Sequence, residues 1–253
     1  MALLHVSYFS DALNVQTSVD VILPEVKQGI GVEAAQEEAL PKVLYLLHGY
    51  SDDHTIWQRR TSVERYAASR NLAIIMPGVN HSFYCNEAYG EKYWDFVSDE
   101  LPKMMHRFFR LSDKPEDTFV AGLSMGGYGA MKLALNFPER FGAAASFSGA
   151  VDIASTSRRH VQNWKRITGG KSLRGTDCDL FHMMKQHADA PAKPRLYVSC
   201  GTADFLYDQH QRFIPALKKA GWDVTHYEEP DAVHEWGFWD REIRKFIDFA
   251  MEK

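Results

Sequence analysis

The chain has 253 residues, which fits one large domain or two small ones, and its 45% hydrophobic and 25% charged residues are typical of a soluble globular protein. We expect a single domain spanning 1–253. Its formal net charge of -4 gives no electrostatic basis for binding nucleic acid or an anionic membrane surface. No apolar run approaches the roughly 18 residues of a membrane span, and the first residues lack a signal-peptide pattern. The three cysteines, Cys85, Cys178 and Cys200, form no C-x-x-C pair. We therefore expect a cytoplasmic protein with reduced, mostly buried thiols.

The amino-terminal half predicts strands that alternate with helical stretches. In chain order we expect two antiparallel strands in "LHVSYF" and "NVQTSVDVIL", a loose connection in "PEVKQGIGVEAAQEEALP", a buried strand in "KVLYLLHG", a helical stretch from Asp53 to Arg70, a buried strand in "LAIIMP" and a helical segment in "EKYWDFVSDELPKMMHRFFRL".

The second half continues the same alternation. We expect a strand from Thr118 followed by a helix from Tyr128, strands in "AAASFSG", "PRLYVSCG" and "WDVTHYE", a helix over about 207–220 and a carboxy-terminal helix. Residues 150–193 interrupt this rhythm with one predicted short helix, "LFHMMKQHA", and are expected to form a small cap insertion over the site. Strands alternating with helices predict an α/β fold with a mostly parallel, doubly wound sheet and an amino-terminal antiparallel hairpin.

One serine lies at a predicted turn between strand and helix. The stretch "TFVAGLSMGGYGAMKLAL" places Ser124 between Gly122 and Gly126 as G-x-S-x-G, where an apolar strand pattern changes into a helical one. Glycine suits such a turn because strand and helix approach closely, and the turn leaves the serine hydroxyl exposed beside backbone N–H groups. The pattern predicts a nucleophile, although a glycine-rich helix start would give the same letters.

A serine nucleophile needs a histidine base and a carboxylate that orients it, at the carboxyl ends of later strands. His234 lies in the required loop between the last strand and the last helix, whereas His226 falls inside a strand pattern and His160, His182 and His187 fall in the predicted cap. Asp204 follows a strand directly and is the expected acid. The alternatives are Asp208, better explained as a helix N-cap, and Asp231, better explained as a turn residue.

The oxyanion of an acyl-transfer reaction needs two backbone donors. The N–H of Met125, directly after the serine, is one candidate. The loop "LLHGYSDDH" supplies the other, and we expect it to be the N–H of Tyr50, with Gly49 allowing the turn and His48 supporting the loop.

Six ordered blocks resemble the esterase D-like branch of the α/β-hydrolases, most closely its tributyrin esterase group. They are "LLHGYSDDHTIWQRRTSVERYA", "MPGVNHSFYCNEAYGEKYWDFVSDELP", "GLSMGGYGAMKLAL", "PERFGAAASFSGAVDI", "GTADFLYD" and "HEWGFWDREIRKFIDF". The resemblance implies an α/β-hydrolase fold and a serine carboxylesterase for short acyl chains that uses no cofactor. It assigns the nucleophile, acid and base to Ser124, Asp204 and His234, and the oxyanion donors to Tyr50 and Met125.

Some features depart from the family or fail as other motifs. Relatives often carry Gly-Gly before the base, where this chain has Ala232 and Val233. A phosphate-loop motif around "GGKS" fails because Lys165 stands where its first glycine would be, and "HEWGF" lacks the second histidine of a zinc-protease motif. "SDDH" is typical of a helix start, so we predict no metal site. "RRH" at 158–160 is typical of a solvated face, and contact with an anionic group of the substrate is its alternative role.

An aromatic set lies near the predicted loop ends or in the cap, and part of it is expected to shape the acyl pocket. The set is Trp57, Tyr84, Trp94, Phe181, Phe205, Trp236 and Phe238, of which Trp57, Trp94, Phe181, Phe205 and Trp236 are the pocket candidates.

The leading hypothesis is therefore a serine carboxylesterase for a small-molecule ester. An S-formylglutathione hydrolase is the alternative within the same fold, and a catalytically silent binding protein is the alternative from another class. Neither nucleic acid nor a membrane is expected as a partner, and a homo-oligomer stays open.

Overall fold

The computed structural model describes residues 1–25, 39–156 and 161–252, and within them eight strands form one sheet. The strands are β1 (Ala2–Ser10), β2 (Val15–Leu23), β3 (Lys42–Leu47), β4 (Leu72–Pro77), β5 (Thr118–Leu123), β6 (Ala143–Phe147), β7 (Arg195–Gly201) and β8 (Val224–Glu229). Their order across the sheet is β1-β2-β4-β3-β5-β6-β7-β8. The pairs β1–β2 and β2–β4 are antiparallel and all later pairs are parallel, so the predicted α/β sheet with an amino-terminal antiparallel hairpin is confirmed.

Helices connect the strands and cover the sheet. They are α1 (Ile56–Arg60), α2 (Val63–Ala67), α3 (Tyr93–Asp95), a π-helical turn (Phe96–Glu100), α4 (Leu101–Phe108), a 3₁₀ turn (Pro115–Asp117), α5 (Met125–Asn136), a 3₁₀ turn (Pro138–Arg140), α6 (Ile153–Thr156), α7 (Val161–Thr168), α8 (Leu180–Gln186), α9 (Tyr207–Lys219) and α10 (Trp236–Met251).

Two sequence expectations differ from these helices. The single stretch predicted from Asp53 to Arg70 is two short helices, because Thr61 is extended (φ -133°, ψ 171°) and its hydroxyl donates to the Trp57 carbonyl. Residues 150–193 contain α6, α7 and α8 where one helix was expected. The helix α7 was missed because it is short and its apolar residues are only Val161, Trp164 and Ile167.

The sheet is covered on both faces, as a doubly wound arrangement requires. Along β3, Val43, Tyr45 and Leu47 belong to one buried cluster, whereas Leu44 and Leu46 belong to the other. Successive side chains of a strand point to opposite faces, so a strand buried on both must be apolar throughout. Helices α5, α8 and α9 contribute to the first cluster, and α1, α2 and α10 to the second.

Some sequence predictions lie outside the described residues. They are most of the loose connection predicted for 24–41 and the "RRH" segment at 158–160 with His160. Among the described ranges, no helix combines the length and the apolar character needed to cross a bilayer.

Candidate active site

Ser124 occupies a sharp turn between the central strand β5 and helix α5. Its backbone has φ 52° and ψ -115°, a region that residues other than glycine seldom adopt. Three hydrogen bonds hold it there: its N–H donates to the Phe147 carbonyl (2.9 Å), and its own carbonyl accepts from the N–H groups of Tyr128 and Ala150 (both 3.1 Å). The turn is thus fixed by β6 and α5, and the serine side chain projects at the carboxyl edge of the sheet.

The two glycines of the motif allow the strand and helix to approach. A Cβ added to Gly122 would lie 2.4 Å from the carbonyl carbon of Gly126, and one added to Gly126 would lie 2.3 Å from the Leu47 carbonyl oxygen. Both contacts are with backbone, which cannot move aside easily. This close approach is the physical reason for glycine at both positions.

Asp204 and His234 form a hydrogen-bonded pair at the same edge of the sheet. Asp204 follows β7, is only 5% exposed, and its Oδ2 lies 2.8 Å from His234 Nδ1. Its Oδ1 accepts from the Leu206 N–H (2.8 Å). Burial by itself would raise the pKa of Asp204, but the hydrogen bond and charge of His234, the Leu206 N–H and the nearby Ser148 hydroxyl together hold it below its usual range. Asp204 is therefore a carboxylate that fixes the imidazole.

The alternative acids have other positions. Asp208 lies exposed in the first turn of α9 and does not cap it, because the N-cap residue is Leu206. Asp231 is in the left-handed region (φ 59°), as expected of a turn residue. Among the other histidines, His226 is exposed on the edge strand β8.

The loops that carry Asp204 and His234 are joined directly. The Ala203 N–H donates to the Ala232 carbonyl (3.1 Å), and the Asp231 N–H donates to Thr202 Oγ1 (2.9 Å). A Cβ on Gly201 would lie 2.1 Å from the Ala232 carbonyl oxygen, so the loops can meet only because residue 201 is glycine.

Helix α10 starts immediately beyond the histidine. The Glu235 carboxylate caps it by accepting from the N–H groups of Gly237 (2.7 Å) and Phe238 (2.8 Å). The His234 ring packs against Phe205 and Trp239, with ring centroids 4.6 and 4.8 Å away. Capping and ring packing together restrict the orientation of the imidazole.

The two residues expected to supply the oxyanion donors are Met125 and Tyr50. Met125 is the first residue of α5, where a helical N–H has no acceptor within the helix. Tyr50 lies in the loop after β3, and its ring packs against His81 with centroids 4.4 Å apart. Both residues line the same cavity as Ser124.

His48 supports the loop that carries Tyr50. The Val79 N–H donates to His48 Nε2 (3.0 Å), so the other ring nitrogen, Nδ1, carries the proton and donates to the Gly49 carbonyl (2.7 Å). Complete burial lowers the pKa of His48 to about 4, which keeps the ring neutral. The Tyr84 hydroxyl donates to the His48 carbonyl (3.0 Å) and ties the loop to the segment after β4.

A cavity of about 630 Å³ collects these groups. Its lining residues are Gly49, Tyr50, Ser51, Asp52, Phe83, Leu123, Ser124, Met125, Ala150, Phe205, Leu206, His234, Glu235, Trp236 and Trp239. Of the predicted residues, Ser124, His234, Tyr50, Met125, Phe205 and Trp236 thus come together in one cavity, and Asp204 joins them through His234.

Three predicted pocket residues lie elsewhere and are corrected. Trp57 is buried in the core, where its indole N–H donates to a main-chain carbonyl of β3 (3.0 Å). Trp94 stacks on Phe137 with centroids 5.7 Å apart, and Phe181 packs edge-on against Phe213 at 5.5 Å. None of the three is among the residues that line the cavity.

Two further aromatic residues line the cavity and were not predicted. Trp239 is one helical turn beyond Trp236, and this i, i+3 spacing on α10 is a signal that could have found it. Phe83 has a left-handed backbone (φ 51°) in an irregular segment, where no periodicity indicates the direction of a side chain.

Comparisons with known proteins match the chain along almost its whole length. The model of the family described as "Putative esterase" matches residues 10–246. An acetyl esterase of Caldicellulosiruptor saccharolyticus is 30% identical, covering 100% of this chain and 99% of that protein.

Two solved structures from Staphylococcus aureus resemble the chain closely. The fluorophosphonate-binding serine hydrolase FphF superposes with a TM-score of 0.88 at 33% identity, covering 100% of this chain and 99% of its own. The S-formylglutathione hydrolase FrmB superposes with a TM-score of 0.87 at 34% identity, covering 99% of each chain.

Proposed function

The chain belongs to the esterase family and is a serine hydrolase of carboxylic esters, and on this premise we propose that it cleaves short-chain acyl esters through an acyl-enzyme on Ser124. The observation that carries the proposal is that His234, which lines the same cavity as Ser124, is hydrogen-bonded to the buried Asp204. Membership of an enzyme family sets aside the alternative of a catalytically silent binding protein.

In the proposed reaction, Ser124 Oγ attacks the ester carbonyl carbon while His234 Nε2 takes the hydroxyl proton. The same imidazolium then gives that proton to the departing alcohol oxygen, which leaves an acyl-enzyme. A water molecule repeats the attack with His234 again as base, and the acid departs as the serine recovers its proton. The 2.8 Å contact from Asp204 to Nδ1 supports this role, because it presents Nε2 as the free acceptor and balances the imidazolium charge.

The tetrahedral intermediates carry a negative oxygen that needs donors. The N–H of Met125 at the start of α5 and that of Tyr50 in the loop braced by His48 are the proposed pair. The positive end of the α5 dipole adds to their effect.

A rigid aromatic wall supports a preference for short acyl chains. The Trp236 ring packs edge-on against Trp57 (centroids 5.3 Å apart) and against Trp239 (5.2 Å). Because these rings brace one another, the wall has little freedom to yield to a longer chain. The 30% identical relative is named an acetyl esterase, which agrees with a small acyl group.

Hydrolysis of S-formylglutathione is the second candidate. The observation that favours it is the 34% identity to a solved structure described as an S-formylglutathione hydrolase. A formyl thioester passes through the same oxyanion, and its acyl group is the smallest that exists.

Initial rates for p-nitrophenyl acetate, butyrate, hexanoate, octanoate and decanoate, with S-formylglutathione alongside, test both candidates. We expect kcat/KM to fall about a thousandfold between butyrate and octanoate, since each of the four added methylenes costs about 1 kcal/mol when it is misplaced and about 1.4 kcal/mol is tenfold in rate. The kcat/KM of Ser124→Ala should be at least about a thousandfold below that of the wild type. The matched control is Ser69→Ala, which changes an exposed serine in the segment after α2 and should keep the wild-type rate.

The outcomes separate the candidates. Thioester turnover that exceeds every ester rate would replace the ester proposal with the second candidate. Equal rates for wild type and Ser124→Ala would refute the role of Ser124 in either reaction.

A further inference from the structure

Two cysteines and a lysine meet in the interior, outside the residues that line the catalytic cavity. Lys132 on α5 has no exposed side-chain surface, and its Nζ lies 3.3 Å from Cys178 Sγ and 3.8 Å from Cys85 Sγ. The two sulfur atoms are 3.3 Å apart, although the residues are 93 positions apart in the chain. Cys85 belongs to the segment after β4, and Cys178 precedes α8.

The surroundings of Lys132 favour a charged ammonium group. Its Nζ lies 3.2 Å from Asp177 Oδ2, donates to the Tyr84 carbonyl (3.3 Å), and sits 3.9 Å from the centre of the Trp94 ring. Burial opposes the charge, but the two thiols and Asp177 outweigh it and hold the pKa of Lys132 above its usual value. The Asp177 carboxylate already pairs with this ammonium, and a thiolate at either cysteine would be a second negative group in contact with it.

The two thiols differ in their readiness to ionise. The hydrogen bond from Cys178 lowers the pKa of Cys85 most, and the charge of Lys132 lowers it further. Burial opposes both effects, and the resulting pKa is about 7. The same partnership raises the pKa of Cys178, because a second thiolate beside the first is disfavoured. The third cysteine, Cys200 on β7, has its pKa raised by burial and by Asp204. The pair therefore sets a thiol that ionises readily beside a second thiol that does not, and Cys200 provides a contrast within the same chain.

We propose that Cys85 and Cys178 are a reversible redox pair, which a hydroperoxide such as hydrogen peroxide oxidises to a disulfide beside Lys132. One thiolate sulfur attacks the peroxide O–O bond, taking up one oxygen as a sulfenic acid and releasing the other as hydroxide, which a proton converts to water. The second sulfur then attacks the sulfenic sulfur, forming the S–S bond and expelling the oxygen as a second water. Two thiols and one peroxide thus give one disulfide and two waters. A dithiol reductant reverses the change by exchange.

The geometry permits this reaction with small movements. The sulfur atoms must close from 3.3 Å to about 2 Å, which side-chain rotation and slight backbone shifts can supply. Cys178 is 7% exposed and Cys85 1%, and the neighbouring Asp177 side chain is 47% exposed, so hydrogen peroxide would enter from this side. Cys85, the thiol that ionises more readily, lies directly behind Cys178 at 3.3 Å and is the sulfur that attacks the peroxide. The disulfide would join the 150–193 segment to the segment of Phe83 and Tyr84, which contacts the cavity and the His48 loop.

Peptide mapping of the full-length protein tests the inference without reference to its esterase activity. The reduced protein is exposed to increasing equivalents of hydrogen peroxide at pH 7, and the remaining thiols are then alkylated under denaturing conditions. We expect a Cys85–Cys178 peptide at the lowest equivalents, with Cys200 still alkylated, and full recovery of both thiols with dithiothreitol. Cys200→Ser should behave as wild type, whereas Cys85→Ser and Cys178→Ser should give no intramolecular disulfide.

The lysine has a test of its own. Lys132→Met keeps an unbranched side chain of similar length and removes the charge, so we expect the disulfide to form roughly tenfold more slowly at pH 7. Circular dichroism and Tm establish that each variant is folded.

Four results would overturn the proposal, and the wild-type protein alone can give the first three. The first is that Cys85 and Cys178 are both still alkylated after peroxide treatment, and the second is that Cys200 is oxidised as fast as the pair. The third is a cross-link between a cysteine peptide and the Lys132 peptide in place of the disulfide. The fourth is an unchanged oxidation rate in folded Lys132→Met.

Discussion

Replacing Asp204 by Asn exchanges one carboxylate oxygen for an amide nitrogen and reverses the hydrogen bond to His234. In the wild type, Oδ2 accepts from Nδ1 at 2.8 Å. An Asn side chain can instead donate its N–H to Nδ1, while its oxygen keeps the Leu206 N–H that Oδ1 now accepts. The imidazole proton then moves to Nε2, the atom that must receive the Ser124 proton. The shape of the site is preserved, and its base is in the wrong tautomer.

The expected loss is large because Asp204 is 5% exposed and no solvent can replace its charge opposite the imidazolium. We expect kcat to fall about 10³- to 10⁴-fold, or roughly 4–5.5 kcal/mol of transition-state stabilisation, with KM nearly unchanged.

The assay is steady-state hydrolysis of p-nitrophenyl acetate at pH 7 by Asp204→Asn and by the matched control Asp208→Asn. Asp208 lies four residues further on and is exposed in the first turn of α9, so the control should stay within about twofold of wild type. A loss below tenfold in folded Asp204→Asn, or an equal loss in Asp208→Asn, would refute the assignment of the acid.

Two further predictions concern stability. Gly126→Ala introduces a Cβ 2.3 Å from the Leu47 carbonyl oxygen, so we expect the free energy of unfolding to fall by about 3 kcal/mol or more. An unchanged midpoint of urea unfolding would contradict this prediction. Because the folded-state pKa of Asp204 is depressed, its stabilising effect should be complete above its unfolded pKa near 4 and lost as pH falls through the folded value. The difference in unfolding free energy between wild type and Asp204→Asn should therefore shrink below about pH 4, and a difference that grows towards acid would show that the sign is wrong.

The sheet and the serine turn could be predicted because their causes are local in sequence. A strand such as Leu72–Pro77, buried on both faces, must be apolar throughout, and a tight strand-to-helix turn requires Gly122 and Gly126. The order of serine, acid and base then follows from the position of each residue after a strand.

The walls of the cavity could not be predicted in the same way. Trp57 and Trp236 are in ring contact, with centroids 5.3 Å apart, yet only Trp236 lines the cavity. Their direction depends on how α1 and α10 pack over the sheet, and composition carries no information about it. The Cys85–Cys178 contact is hidden for a similar reason, because the fold brings together residues that the sequence separates by 93 positions.

The backbone of Ser124 has a consequence for how the protein would respond to selection. At φ 52° and ψ -115°, a serine stores backbone strain of the order of 1–3 kcal/mol that a glycine would not. Glycine loses more conformational entropy than serine on folding, but this loss offsets only part of the strain that the substitution relieves. A library screened for thermal resistance alone would therefore enrich Ser124→Gly and discard the proposed nucleophile. Persistence of serine at this position would then reflect selection for turnover against selection for stability, and an engineering campaign on this fold must score both traits together.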